Sequence, residues 1–247
     1  MRQIPDVVIL SGGFGLRLRE MVGDVPKPMA PIAGRPFLEL LLKQLKRHGF
    51  SRVILSVGYK AEVIQEHFGN HACGLELVYS IETSPLGTGG ALREAAGHIH
   101  TQTALVMNGD SYTDVDLSRL IREHEAKKAD VTVVVIPENR ADAGSVVLDG
   151  SGRVKAFAEK RQVPESRYLS AGIYGVEKSL VATIAQGSKI SLEEHLFPQW
   201  LAEDKRIEGF VYAGRCLDIG TPERFLKAQR DLENVESETV IESEDRS

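Results

Sequence analysis

Cysteine is scarce in this chain of 247 residues: only Cys73 and Cys216 occur. Two cysteines so far apart make no disulfide framework, so a reducing compartment is expected. No apolar stretch approaches the roughly 20 residues that a membrane span needs. The start, MRQIPDVVILSGG, has one arginine and too short an apolar run for a signal peptide, so a cytoplasmic location away from membranes is expected. A basic excess is also missing, with 30 Lys+Arg against 35 Asp+Glu. Six acids and Arg246 in residues 233–247 account for the whole formal charge of −5, and the remaining residues balance. A neutral body lacks the basic face that nucleic-acid binding requires, although a small anion pocket stays open to it. No Pro/Ser-rich linker and no internal repeat divides the chain. One domain over 1–232 is therefore expected, with an acidic, disordered tail after it.

What is present is an alternation of short and long apolar patterns. Val7–Leu10, Arg52–Val57, Leu75–Tyr79 and Ala104–Met107 read as strands. Pro36–His48, Ala61–Phe68, Gly90–Ala96 and Leu117–Lys128 have helical spacing, with Gly49, Gly69 and Gly97 as stops. Strand and helix in turn predict an α/β fold, a Rossmann-like, mainly parallel sheet flanked by helices. After the strand Asp130–Pro137 the rhythm changes. Ser145–Leu148, Val154–Ala158 and Tyr168–Val176 follow without intervening helices, which predicts an antiparallel part. Helices over Lys178–Ala185 and Leu192–Glu203, a strand Glu208–Tyr212 and a helix after Pro222 complete the reading. A nucleotide-binding half of about 1–137 and a substrate half of about 138–232 are the expected division.

The sharpest local signal is Ser11-Gly12-Gly13-Phe14-Gly15-Leu16-Arg17-Leu18, directly after the first strand. Glycines there let backbone N–H groups approach a phosphate. Neither the dinucleotide fingerprint nor the Walker loop fits, because Leu18 stands where the last glycine belongs and Gly-Lys-Ser/Thr is absent. Arg17 inside the loop and Lys27, bracketed by Pro26 and Pro28, instead suit a triphosphate.

This pattern resembles the sugar-1-phosphate nucleotidyltransferase family, whose signature is G-G-x-G-x-R-L followed by P-K-P. Five more segments match it in order: Leu86-Gly87-Thr88-Gly89-Gly90-Ala91-Leu92, Asn108-Gly109-Asp110, Phe157-Ala158-Glu159-Lys160, Ala171-Gly172-Ile173-Tyr174 and Leu217-Asp218-Ile219-Gly220-Thr221-Pro222. Within the family, the wording around Asp24–Ile32 and Tyr79–Gly90 most resembles the heptose 1-phosphate guanylyltransferases, while mannose 1-phosphate guanylyltransferases and the uridylyl-, cytidylyl- and thymidylyltransferases of related sugars share nearly all the core motifs and stay as alternatives. Two positions depart from the pattern: Ser170 where Asn is frequent before Ala-Gly, and Ala143 where Tyr often precedes Gly144.

The resemblance implies transfer of a nucleotidyl group from an NTP, with GTP favoured, to a sugar 1-phosphate, releasing pyrophosphate. A sugar phosphate is already ionised at pH 7, so no enzyme nucleophile or general base is needed. It implies Mg²⁺ on Asp110 and Asp218, Arg17 on the departing pyrophosphate, Lys27 on the reacting phosphates and Lys160 on the sugar phosphate. Leu10, Gly12, Gly13, Gly15, Glu82, Gly87, Thr88, Asn108 and Gly109 are the implied nucleotide contacts, and Gly144, Glu159, Ser170 and Gly172 the implied sugar contacts. Glu82 is singled out because a carboxylate accepts both N1–H and N2–H₂ of guanine. Glu193, Glu194 and His195 read as a polar helix face, and Trp200 as core. A non-catalytic sensing subunit of the same fold is the reading from another class, and a homodimer is compatible with the fold. No sequence feature marks its interface.

Overall fold

The computed structural model describes residues 4–13, 15, 17–138, 144–158 and 166–232. The early strands are β1 (Asp6–Ser11), β2 (Pro31–Ile32), β3 (Arg35–Pro36), β4 (Arg52–Val57), β5 (His71–Ala72), β6 (Leu75–Ile81) and β7 (Thr103–Asn108). Those that follow are β8 (Ser111–Thr113), β9 (Val131–Ile136), β10 (Ser145–Leu148), β11 (Val154–Ala158), β12 (Tyr168–Glu177), β13 (Ile207–Val211) and β14 (Cys216–Asp218). Ten of them form one sheet whose main path runs β11-β10-β12-β7-β1-β4-β6-β5, with β9 and β13 continuing from the other edge of β12.

The parallel part is β7-β1-β4-β6. Antiparallel β12 joins it to the later strands, so the change of rhythm seen after Asp130 is a change of strand direction. Along β1 and β7 alternate residues serve opposite faces. Val7, Ile9, Leu105 and Met107 pack with Leu38, Leu41, Leu42 and Leu45 of the helix Phe37–Arg47, while Val8, Ala104 and Val106 pack with Leu92, Phe197 and Trp200. Each such aliphatic side chain, fully buried, contributes about 1.5–3 kcal/mol of transfer free energy. Among the described residues no helix is long and apolar enough to cross a membrane.

Three expectations need correction. The helix expected from Gly90 begins at Gly87, and Gly97 does not stop it but lies in a 3-10 turn, Ala96–His98. The helix expected over Lys178–Ala185 ends at Val181. The helix expected over Leu192–Glu203 is split into a wide π turn, Leu192–Leu196, and a regular helix, Phe197–Ala202. Pro198 explains the split, since it has no N–H to return to the carbonyl of Glu194. Trp200 is 1% exposed, as expected of core.

From β1 the chain moves outward through β4 to β6, then crosses back to lay β7 on the other side of β1. The crevice at the carboxyl ends of β1 and β7 is where such sheets bind ligands.

Candidate active site

A cavity of about 290 Å³ fills that crevice. Its floor is Leu10, Gly12 and Gly13 at the exit of β1 and Asn108, Gly109 and Asp110 at the exit of β7. Glu82, Gly87 and Thr88 form one wall, and Lys27 closes the opposite side. Residues 72 positions apart on the chain, Leu10 and Glu82, thus face one space because β1 and β6 both flank β4. Asn108 Oδ1 and Ser11 Oγ are buried at this floor without a partner among the described residues. A buried acceptor left unpaired is costly, and a ligand with hydroxyl or N–H donors would satisfy it.

The Glu82 carboxylate lies directly against Gly12, in the space that a side chain there would occupy. It accepts from Ser56 Oγ at 3.2 Å and from Leu86 N–H at 3.1 Å. Burial pushes its carboxyl up from the ordinary value, against the effect of these two donors. Each oxygen retains a lone pair for a further donor.

Lys27 sits at the start of a 3-10 turn, Lys27–Met29, that Pro26 and Pro28 shape. Gly15, with φ +60°, lets it approach, for a Cβ there would meet Lys27 Cβ at 2.9 Å. Lys27 Nζ donates to Asp110 Oδ2 at 2.5 Å, across 83 residues of sequence. Burial alone would push the Asp110 carboxyl up. The Lys27 charge and hydrogen bond, aided by Ser111 Oγ, outweigh it and hold the group below the ordinary carboxylate range.

Asp218 reaches the same place through β14, which pairs antiparallel with β8 and sets Asp218 opposite Ser111. Ile219 N–H donates to the Asp110 carbonyl at 3.0 Å, so the two acidic segments are stitched together. Asp218 accepts from Gly220 N–H and from Arg224 Nη1, the latter at 2.9 Å. Arg224 went unnoticed in the sequence, although it follows Asp218 by six positions across the Thr221-Pro222 turn into the helix 222–232. Among the described residues no cluster of three or more His, Cys, Asp or Glu makes a protein-only metal cage. Two carboxylates on joined segments, Asp110 just before β8 and Asp218 at the end of β14, fit Mg²⁺, which takes one or two protein carboxylates with phosphate oxygens and water.

The remaining expected residues are placed unevenly. Arg17 is exposed on the turn closed by Leu18 N–H to the Gly15 carbonyl and does not line the cavity. Gly144 accepts through its carbonyl from Ser170 N–H at 2.8 Å, and Gly172 packs on Asn108. The later strands thus meet the floor of the cavity where β12 pairs antiparallel with β7. Glu159, Lys160 and Arg161 lie outside the described residues, as do Ala143 and the tail 233–247.

A mainly parallel sheet that switches direction at a glycine-floored cleft, lined by the Lys27–Asp110 pair with Asp218 on the adjoining segment, defines an α/β fold whose cleft suits a phosphate-bearing ligand. The family model described as nucleotidyl transferase matches residues 6–235, and the chain belongs to that family. It is 41% identical over 230 residues to a mannose-1-phosphate guanylyltransferase of Mycobacterium tuberculosis, covering 92% of this chain and 64% of that one. It therefore spans just under two thirds of that relative's length. It is 36% identical over 229 residues to a D-glycero-alpha-D-manno-heptose 1-phosphate guanylyltransferase of Aneurinibacillus thermoaerophilus, covering 93% and 99%. The crystal structure of HddC from Yersinia pseudotuberculosis superposes with a TM-score of 0.81 at 31% identity, over 93% of this chain and 100% of that one. HddC has also been solved in complex with GMP-PN, and that structure matches with a TM-score of 0.80.

Proposed function

We propose that this protein transfers the guanylyl group of GTP to a manno-configured sugar 1-phosphate, D-glycero-α-D-manno-heptose 1-phosphate, releasing pyrophosphate and giving the GDP-sugar. The observation that carries the reading is the Lys27–Asp110 pair at the mouth of the glycine-floored cavity, with Asp218 stitched beside it. A phosphate oxygen of the sugar 1-phosphate attacks the α-phosphorus, and the bond from that phosphorus to the β-bridging oxygen breaks. Both reactants are anions, so the work of the site is alignment and neutralisation.

In this reading residues 1–137 hold the nucleotide and 138–232 the sugar phosphate. The backbone of Gly12, Gly13 and Gly15 and the Lys27 ammonium hold the phosphates, while Arg17 meets the departing pyrophosphate. Glu82 takes the guanine N1–H and N2–H₂, and the Asn108 amide serves the nucleoside. Lys160 and Glu159 serve the sugar phosphate and its hydroxyls. Asp110 and Asp218 would hold Mg²⁺, which when bound supplies charge neutralisation on the phosphates. The absence of a membrane-crossing helix among the described residues is compatible with a cytoplasmic site of action.

Mannose 1-phosphate is the second reading for the acceptor, favoured by the 41% identity to the mycobacterial enzyme. Both acceptors are answered by one experiment. Pyrophosphate release is measured on GTP, UTP, CTP and dTTP, each with heptose, mannose and glucose 1-phosphate. Turnover is expected with GTP and the heptose 1-phosphate in Mg²⁺, and none in EDTA. A higher kcat/KM with mannose 1-phosphate replaces the acceptor, and no turnover with any pair defeats nucleotidyl transfer itself.

A further inference from the structure

Glu193 reads in the sequence as part of a polar helix face, yet it is buried, at 8% exposure. Its carboxylate collects three hydroxyls. Thr88 Oγ1 and Ser191 Oγ donate to Oε2 at 2.6 and 3.0 Å, and Tyr174 Oη donates to Oε1 at 3.1 Å. An ionised carboxylate only accepts, so these hydroxyl protons point inward to Glu193. Tyr174 Oη then receives from Ser170 Oγ, 3.2 Å away, and Ser170 Oγ accepts from Gly172 N–H at 3.2 Å. At the other end Thr88 Oγ1 accepts from Leu192 N–H at 2.8 Å. The carboxylate thus fixes the donor direction of the whole run from Gly172 through Ser170, Tyr174 and Glu193 to Thr88.

Both ends of this run are walls of the proposed site. Thr88 lines the nucleotide cavity, and Gly172 is pressed against Asn108, where a Cβ would meet Nδ2 at 2.8 Å. Backbone packing locks the Thr88 end as well. Ile190 N–H donates to the Leu86 carbonyl at 2.8 Å, and the Ile190 carbonyl accepts from Gly89 and Gly90 N–H at 2.9 and 3.2 Å. At Gly87, with φ +72°, a Cβ would meet that same carbonyl at 2.7 Å. The missing side chains at Gly87, Gly89 and Gly90 therefore seat the strap 188–191, while Gly87 and Thr88 also line the cavity.

We infer that Glu193 is a positioning residue that couples the nucleotide wall at Gly87-Thr88 to the sugar-phosphate strand at Ser170–Gly172, so that either substrate prearranges the wall used by the other. The inference rests on the nucleotidyl-transfer reading above and adds a thermodynamic link between its two subsites. Such a link is reciprocal for binding, which allows it to be read without turnover.

The test is calorimetric binding of the α,β-methylene analogue of GTP, with and without saturating heptose 1-phosphate, the bridging carbon blocking transfer. In the wild type the sugar phosphate is expected to tighten the analogue by about fivefold or more. Glu193→Gln, whose amide nitrogen donates where the carboxylate accepts, brings that ratio towards one. Tyr174→Phe is the companion variant. It removes the hydroxyl but keeps the ring that packs on Phe197 at a centroid distance of 5.1 Å, so it carries the test even if Glu193→Gln does not fold. A wild-type ratio of one, or an unchanged ratio in the variants, overturns the coupling while transfer stands. A wild type that binds neither ligand overturns the transfer reading instead.

Discussion

Lys27 and Asp110 form a close ion pair in which the lysine side chain is 16% exposed and the aspartate 38%. Removing the lysine leaves a carboxylate that water can still reach, so the fold should survive Lys27→Ala while the reacting phosphates lose a fixed cation. We expect kcat to fall by about 100-fold or more, in line with the loss of one preorganised charge-stabilising donor, with a thermal melt close to wild type. An unfolded variant would make Lys27 structural. Asp110→Asn should raise the barrier by about 3 kcal/mol or more, read as kcat under saturating substrates, and near-wild-type turnover would remove Asp110 from the chemistry. Lys27 was legible in the sequence as a cation between prolines near a glycine-rich loop, and Asp110 through the resemblance of Asn108-Gly109-Asp110 to the family's segment. Glu193 and Arg224 were not. Their setting depends on Thr88, Tyr174 and Asp218 arriving from other segments, and a charged residue on a short helix looks solvated until those partners are in place.

The glycine-rich start of the Gly87–Ala95 helix sets two opposing effects against each other at the scale of an element. Alanine in place of a helical glycine gains about 1 kcal/mol of propensity, but at residue 90 its Cβ would strike the Ser188 carbonyl of the strap. The clash decides, and Gly90→Ala should destabilise by about 1–3 kcal/mol. Gly97→Ala, with open space around the added carbon and no positive φ, should be neutral or stabilising by about 0.4–1 kcal/mol. Urea midpoints of the pair decide the matter, and equal behaviour would show that the strap yields. A second element-level prediction concerns His124 on the helix Leu117–Lys127, buried between Thr132 of β9 and Glu177 of β12. Burial lowers its pKa from 6.5, with Glu177 acting the other way. The unfolded chain then binds a proton that the native imidazole resists, so its contribution is present above pH 6.5 and lost as pH falls below it. The slope is at most about 1.4 kcal/mol per pH unit. Urea unfolding from pH 5 to 8 should show this slope in the wild type and not in His124→Gln. Periodicity revealed most of these elements, including Arg52–Val57 and Ala61–Phe68 to the residue. It misjudged the helix starting at Gly87, where the Gly89 and Gly90 N–H groups bond to Ile190 outside the segment, and the split at Pro198, where a proline inside a helical spacing breaks the ladder locally.

For the molecule as a whole, the distribution of charge matters more than its total. Lys27 is paired with Asp110 and Arg224 with Asp218, and Glu82 adds a further carboxyl, so the described side chains at the cleft hold no excess of positive charge. A triphosphate and a sugar phosphate entering such a cleft bring several negative charges that these two cations do not offset. Arg17 and Lys160, in their proposed roles, offset only part of that charge, which is a physical reason to expect turnover to be lost in EDTA and restored by Mg²⁺. The formal −5 of the chain belongs entirely to residues 233–247. Exposed charges act over about one Debye length, roughly 8 Å at physiological ionic strength, so charges farther than that from the cleft act on it only when salt is low. Deleting 233–247 should therefore leave kcat/KM unchanged at 150 mM salt and change it by no more than about twofold at 10 mM, where screening extends to about 30 Å. A loss of tenfold or more at high salt would mean that the tail makes direct contact with the site or with a second copy of the chain. Titrating salt in the full-length and shortened proteins separates the two outcomes, because contact persists under screening and a diffuse field does not.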